Sequence, residues 1–212
     1  MRQMIDLSLY LVLDPDLCEP LGMVETTRRA VAGGITAVQL RHKTATTEEF
    51  VAIGKELKEV LKGTEVALVI NDNVEAAHAL QADVLHIGQG DMPVEEARKL
   101  IGPEMILGLS VERLDLVKQV DASQVDYVGI GPVFATPTKP DHKPAIGFDG
   151  LAEIAVASPV PTVAIGGLKA EHVAQTLAAG ADGLAIVSAI CGQEDVTSTT
   201  EEFSKLIKEA RS

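Results

Sequence analysis

Tryptophan is absent from this chain, and aromatic residues of all kinds make up only 3% of it. A core built from such a sequence must be filled by Val, Ile, Leu and Ala, which suits the crowded interior of a closed parallel sheet. Cysteine is scarce as well. Cys18 and Cys191 have neither metal nor redox spacing, so both read as small buried hydrophobes. Positive charge is outnumbered: 18 Lys and Arg face 31 Asp and Glu, a formal net charge of −13. Such a chain repels nucleic acid and anionic membrane surfaces, and neither is expected as a partner. No apolar run approaches the roughly 18 residues of a membrane span. Asp6 interrupts the apolar stretch near the N-terminus, so no signal-peptide core is expected, and the cytosol is the expected location.

What remains is ample for a core. Hydrophobic residues are 46% of 212, and the length suits one domain spanning 1–212. Eight short apolar runs stand out: Leu7–Leu13, Ala37–Leu40, Ala67–Ile70, Val84–Ile87, Ile106–Leu109, Tyr127–Ile130, Thr162–Ile165 and Gly183–Ile186. Each fits a strand buried on both faces. Amphipathic segments lie between them. Thr47–Lys62 places Phe50, Ile53, Leu57, Val60 and Leu61 on one helical stripe, and Lys169–Ala179, Glu112–Val120, Val94–Ile101 and Glu201–Ala210 are further helix candidates. Eight βα units ending on a helix predict an α/β fold, a single (β/α)8 TIM barrel with parallel strands. A doubly wound open sheet is the competing architecture.

Chemistry in such a barrel belongs to the loops that follow the strands. After the second run comes Gln39-Leu40-Arg41-His42-Lys43, where alternation puts Gln39, Arg41 and Lys43 on one side. Two cations in so acidic a chain suit a phosphate or diphosphate, although a solvated strand end has the same composition. Asn71-Asp72 follows the third run and Asp91 the fourth. If the two Asp converge they make a carboxylate pair for Mg2+; each also suits a helix start. Ser110 follows the fifth run and could equally be a helix cap. The long stretch Gly131–Gly150 begins with Thr136, Thr138 and Lys139 among prolines, a set of donors for phosphate oxygens and a candidate lid. Gly166-Gly167 and Val187-Ser188 follow the last two runs, where barrels often bind phosphate on backbone N–H groups.

At these residues the chain resembles bacterial thiamine-phosphate synthases over nearly its whole length. The matching segments are Gln39–Lys43, Ile70–Asp72, His86–Pro93, Gly108–Ser110, Gly129–Asp141, Val163–Gly167 and Gly183–Ile190. The most distinctive is Gly-Pro-Val-Phe-x-Thr-Pro-Thr-Lys at 131–139. The resemblance implies an enzyme, a transferase that replaces the pyrophosphate of an aminopyrimidine methyl diphosphate by the nitrogen of a thiazole phosphate. It implies that Gln39, Arg41, Lys43, Asn71, Ser110 and Lys139 hold the pyrimidine diphosphate, with Arg41, Lys43, Ser110 and Lys139 acting in catalysis. It further implies that Asp72 and Asp91 hold Mg2+, and that Thr136, Thr138, Gly167, Val187 and Ser188 hold the thiazole phosphate. The partners so implied are two small molecules; a homo-oligomer is compatible with the sequence.

Four positions depart from the family pattern: His42, Asn73, Glu112 and His142. None removes an implied ligand. A thiazole tautomerase-like barrel is one alternative and would need no Arg41, Lys43, Asp72 and Asp91 set; a non-catalytic phosphate-binding barrel is another and could keep the phosphate loops while losing metal binding.

Overall fold

Each apolar run becomes a strand, and the eight strands pair in chain order into a closed parallel barrel. The computed structural model describes residues 4–136 and 144–212. The strands are β1 (Leu9–Val12), β2 (Ala37–Leu40), β3 (Ala67–Asn71), β4 (Val84–Ile87), β5 (Ile106–Val111), β6 (Tyr127–Ile130), β7 (Thr162–Ile165) and β8 (Gly183–Ile186). Closure comes from β1 pairing with β8 through Leu9 and Leu184, which rules out the open sheet.

Helices surround this barrel. A short turn α1 (Pro15–Cys18) precedes α2 (Met23–Gly33), α3 (Thr47–Leu61), α4 (Val74–Leu80), α5 (Val94–Ile101), α6 (Leu114–Val117), α7 (Gly147–Ala157), α8 (Val173–Ala178) and α9 (Val196–Ala210). Period-two alternation divides the strand residues between two cores. Leu9, Leu11, Val38, Leu40, Leu68 and Ile70 face the helices. Tyr10, Val12, Ala37, Val69, Val84, Ile106, Tyr127, Val163 and Ala185 fill the barrel. Cys18 and Cys191 are both buried, as small hydrophobes would be.

Several boundaries differ from the sequence expectation, each for a local reason. Helix α3 starts at Thr47 as expected but ends at Leu61, one residue early; Thr46 caps it, its hydroxyl accepting from Glu49 N while the Glu49 carboxylate accepts from Thr46 N. Asn73, not Asp72, caps α4 by accepting from Ala76 N. Strand β5 runs on to Val111, so Ser110 lies in the strand and caps nothing. The segment 169–179 starts as a 3-10 turn, Ala170–His172, before α8. Helix α7 begins at Gly147, inside the stretch expected to be irregular.

The N-terminal end of the barrel is tied by a repeated device. The residue just before each even strand accepts, through its side chain, a backbone N–H of the preceding odd strand. Thr36 accepts from Leu9, Asp83 from Leu68, Asp126 from Leu107 and Asp182 from Thr162. Asp126 also pairs with Arg98 at 2.7 Å, and Arg98 donates to Gln124 O, Gly102 O and Met105 O. This end is therefore locked by polar groups, leaving the opposite mouth for chemistry.

Candidate functional site

The mouth is built from strand ends, so the position of each side chain follows from strand parity. Gln39 is the next-to-last residue of β2 and is buried; Asn71 closes β3; Ser110 is the next-to-last residue of β5. Around the rim, charges meet that are far apart in sequence. Arg41 Nη1 lies 3.8 Å from Asp14 Oδ2, and Lys43 makes an ion pair with Asp72. Two cations that look unopposed along the sequence are thus countered by carboxylates of neighbouring loops. Asp14 itself is held by accepting from Asp16 N and Leu17 N at the start of α1.

Asp72 and Asp91 converge as expected. Burial first, and the facing Asp72 carboxyl second, push the Asp91 carboxyl above its usual range; the Gly88 N–H and the charge of Lys43 oppose the shift. Asp91 Oδ2 accepts from Gly88 N at 2.7 Å. Asp72 has a φ of 60°, in the left-handed region that a non-glycine residue enters at some cost, and its N–H donates to His86 O at 2.9 Å. Two hard oxygen donors with a like-charge conflict, only partly relieved by Lys43, are a donor set that suits a divalent hard cation. Among the described residues no group of three or more His, Cys, Asp or Glu forms around them.

Beneath the rim lies a feature that the sequence reading did not find. Gln39 Nε2 donates to Tyr10 Oη at 2.8 Å, Tyr10 Oη lies 3.1 Å from Tyr127 Oη, Tyr127 Oη 2.9 Å from His86 Nδ1, and His86 Nε2 2.9 Å from Ser110 Oγ. Five side chains therefore cross the barrel as one hydrogen-bonded chain. Burial pushes the His86 pKa down to about 4, with Asp91 opposing, and burial raises both tyrosines. The signal was present in the sequence. Tyr10, His86 and Tyr127 are the large polar residues at inward-facing strand positions, the same parity as Gln39.

On the other side of the mouth, Gly166 and Gly167 adopt φ of 102° and 65°. A Cβ on Gly166 would lie 2.6 Å from Pro132 Cα, and one on Gly167 2.8 Å from Phe134 Cβ. The pair thus lets the loop after β7 lie flat against the loop after β6, where Phe134 N donates to Gly166 O at 2.9 Å. Val187 packs on the barrel core, and Ser188 O accepts from Gln193 Nε2. Thr136 is the last described residue of its loop; Thr138, Lys139 and His142 lie outside the described residues.

The other departures from the family pattern find local roles. Asn73 caps α4 and also donates to Thr47 Oγ1 at 3.2 Å. Glu112 lies 3.9 Å from Arg113, and the His42 ring is 3.4 Å from Thr44 Oγ1. None intrudes on the Asp72 and Asp91 pair.

A Psychrobacter sp. (strain PRwf-1) thiamine-phosphate synthase is 46% identical over 198 residues, 92% of each chain. That of Laribacter hongkongensis (strain HLHK9) is 43% identical over 207 residues, 97% of this chain and 98% of its own. The solved structure of a thiamine phosphate pyrophosphorylase from Pyrococcus furiosus superposes with a TM-score of 0.88 at 37% identity, covering 98% of both chains. Residues 9–190 match the family described as thiamine monophosphate synthase, and the chain belongs to that family.

Proposed function

We propose that the barrel mouth binds a pyrimidinylmethyl diphosphate and a thiazole phosphate and joins them, releasing pyrophosphate and forming thiamine phosphate. The C–O bond to the diphosphate breaks, its electron pair leaves with pyrophosphate, and the thiazole nitrogen lone pair forms the new C–N bond. The observation that carries this reading is the convergence of Arg41, Lys43, Asp72 and Asp91 from three loops on one rim.

Asp72 and Asp91 would hold Mg2+, which supplies positive charge to the leaving diphosphate. Arg41 and Lys43 act on the same charge. Both are held near carboxylates, so a diphosphate replaces Asp14 and Asp72 as their partner instead of meeting disordered cations. Lys139 joins them on the strength of the sequence resemblance. Gln39, Asn71 and Ser110 orient the pyrimidine. Gly167, Val187 and Ser188 hold the thiazole phosphate on the opposite side, and Thr136 and Thr138 join them on the strength of the sequence resemblance. No general base is needed, because the attacking nitrogen carries no proton. This agrees with a buried, neutral His86 as the only histidine in the barrel interior among the described residues. We place the reaction in the cytosol; no helix is long and apolar enough to cross a membrane among the described residues.

The test is the Mg2+ dependence of thiamine phosphate formation. Wild-type protein should make the product with Mg2+, and Asp91→Ala should need at least about tenfold more, a loss of about 1.4 kcal/mol in metal affinity. Equal Mg2+ requirements would take Asp91 out of the metal site, and no product from wild type would overturn the reading.

A further inference from the structure

Three buried polar side chains, Tyr10, Tyr127 and His86, take no part in the chemistry above, yet they join Gln39 to Ser110 without a gap. Their protons can be counted. An amide nitrogen has only N–H groups to offer, so Tyr10 Oη accepts from Gln39. The one hydroxyl proton of Tyr10 then goes to Tyr127, and that of Tyr127 to His86 Nδ1. A neutral imidazole now carries its proton on Nε2 and donates to Ser110 Oγ. The Ser110 proton is left for a ligand, and so is the acceptor Oε1 of Gln39.

Turning the Gln39 amide over reverses every step. Tyr10 donates to Oε1, Tyr127 donates to Tyr10, and His86 carries its proton on Nδ1. Its Nε2 accepts from Ser110. Either direction satisfies all five groups. A mixed direction sets two protons or two lone pairs face to face, and a buried unsatisfied polar group costs about 1–3 kcal/mol.

We infer that Tyr10, Tyr127 and His86 are a polarity relay that couples the two ends of this chain. When Gln39 accepts, Ser110 donates; when Gln39 donates, Ser110 accepts. The inference deepens the reading of this mouth as a pyrimidine site and rests on it for the ligand. An aminopyrimidine presents an N–H beside a ring-nitrogen lone pair, and the relay keeps one acceptor and one donor available to it together. Tyr10, Tyr127 and His86 are positioning residues in this scheme, acting through Gln39 and Ser110.

The packing makes room for the central link. A Cβ at Gly108 would lie 2.3 Å from Tyr127 Cζ and 2.5 Å from His86 Nδ1, and one at Gly129 would lie 3.2 Å from His86 Cε1. Two interior strand positions are thus glycine around the His86 ring.

Nitrogen-15 NMR of histidine-labelled, ligand-free protein reads the relay directly. The five histidines allow His86 to be assigned by the signal lost in His86→Gln. In wild type at neutral pH, donation from Gln39 Nε2 places the proton on His86 Nε2 and leaves Nδ1 bare; an imidazolium contradicts the proton count, and an Nδ1–H tautomer contradicts the direction set by Gln39. Gln39→Glu then tests coupling at a distance. Once the introduced carboxyl is ionised, as its carbon-13 shift reports, it can only accept, so the His86 proton should move to Nδ1. The move should vanish when Tyr127→Phe is added. A His86 that keeps its Nε2 proton opposite an ionised carboxylate overturns the relay, as does a move that survives Tyr127→Phe. These readings need no substrate, so they stand or fall apart from the proposed activity. In turnover, Tyr127→Phe should raise KM for the pyrimidine diphosphate about tenfold while leaving KM for the thiazole phosphate unchanged, about 1.4 kcal/mol confined to one substrate. An unchanged pyrimidine KM would sever the relay from substrate binding.

Discussion

His86 shows how a single side chain ties stability to the site. Burial holds its pKa at about 4, against about 6.5 for the unfolded chain. Between those values the unfolded state takes up a proton that the folded state excludes. This contribution is therefore fully present above pH 6.5 and is lost as pH falls toward 4, by roughly 3 kcal/mol in all. Urea denaturation at pH 7 and pH 4.5 should show a smaller acid loss for His86→Gln than for wild type; equally steep losses would remove the assignment. The inward parity of Gln39 was legible in the sequence because it depends only on counting along a strand, whereas Asn71 and Ser110, expected after their strands, lie within β3 and β5. The pairing of Lys43 with Asp72, and of Arg41 with Asp14, was not. Each joins loops that only barrel closure brings together.

Elements were legible where periodicity was strong and obscure where tertiary contact decided the matter. Helix α5 has the expected bounds, and α3 ends one residue earlier than expected. Helix α6 shrinks from the expected Glu112–Val120 to Leu114–Val117, shorter at both ends. Helix α2 drew no notice in the sequence: it carries Thr26 and Thr27 on its buried face, where apolar residues would have marked a stripe. Its last residue, Gly33, is fixed by packing on α9. A Cβ there would lie 2.5 Å from Thr200 Cβ and 2.6 Å from Thr197 O. Gly33→Ala should therefore destabilise the fold by about 1–3 kcal/mol through overpacking, despite the better helix propensity of alanine. A rise in the denaturation midpoint would show that α2 and α9 have room to separate.

For the molecule as a whole, stability and chemistry occupy opposite ends. The N-terminal end is tied by Thr36, Asp83, Asp126 and Asp182, each reaching back to the strand before. Sequence reading passed over these residues because a lone Asp before an apolar run looks like an ordinary turn. Only the alternation with odd and even strands gives the pattern meaning. Asp126→Ala would remove the carboxylate that pairs with the half-buried Arg98 and accepts from Leu107 N, so it should cost about 1–3 kcal/mol in chemical denaturation. The KM of either substrate should stay unchanged, since Asp126 lies at the far end; a KM shift without lost stability would contradict this division. At the mouth, the central claim is a displacement that needs both substrates. The most direct measurement is pyrophosphate release by the purified protein with the pyrimidine diphosphate and Mg2+, in the presence and absence of the thiazole phosphate. The account predicts release only when both substrates and Mg2+ are present, with thiamine phosphate appearing in equal amount. Release without the thiazole phosphate, or none with all components present, would contradict it.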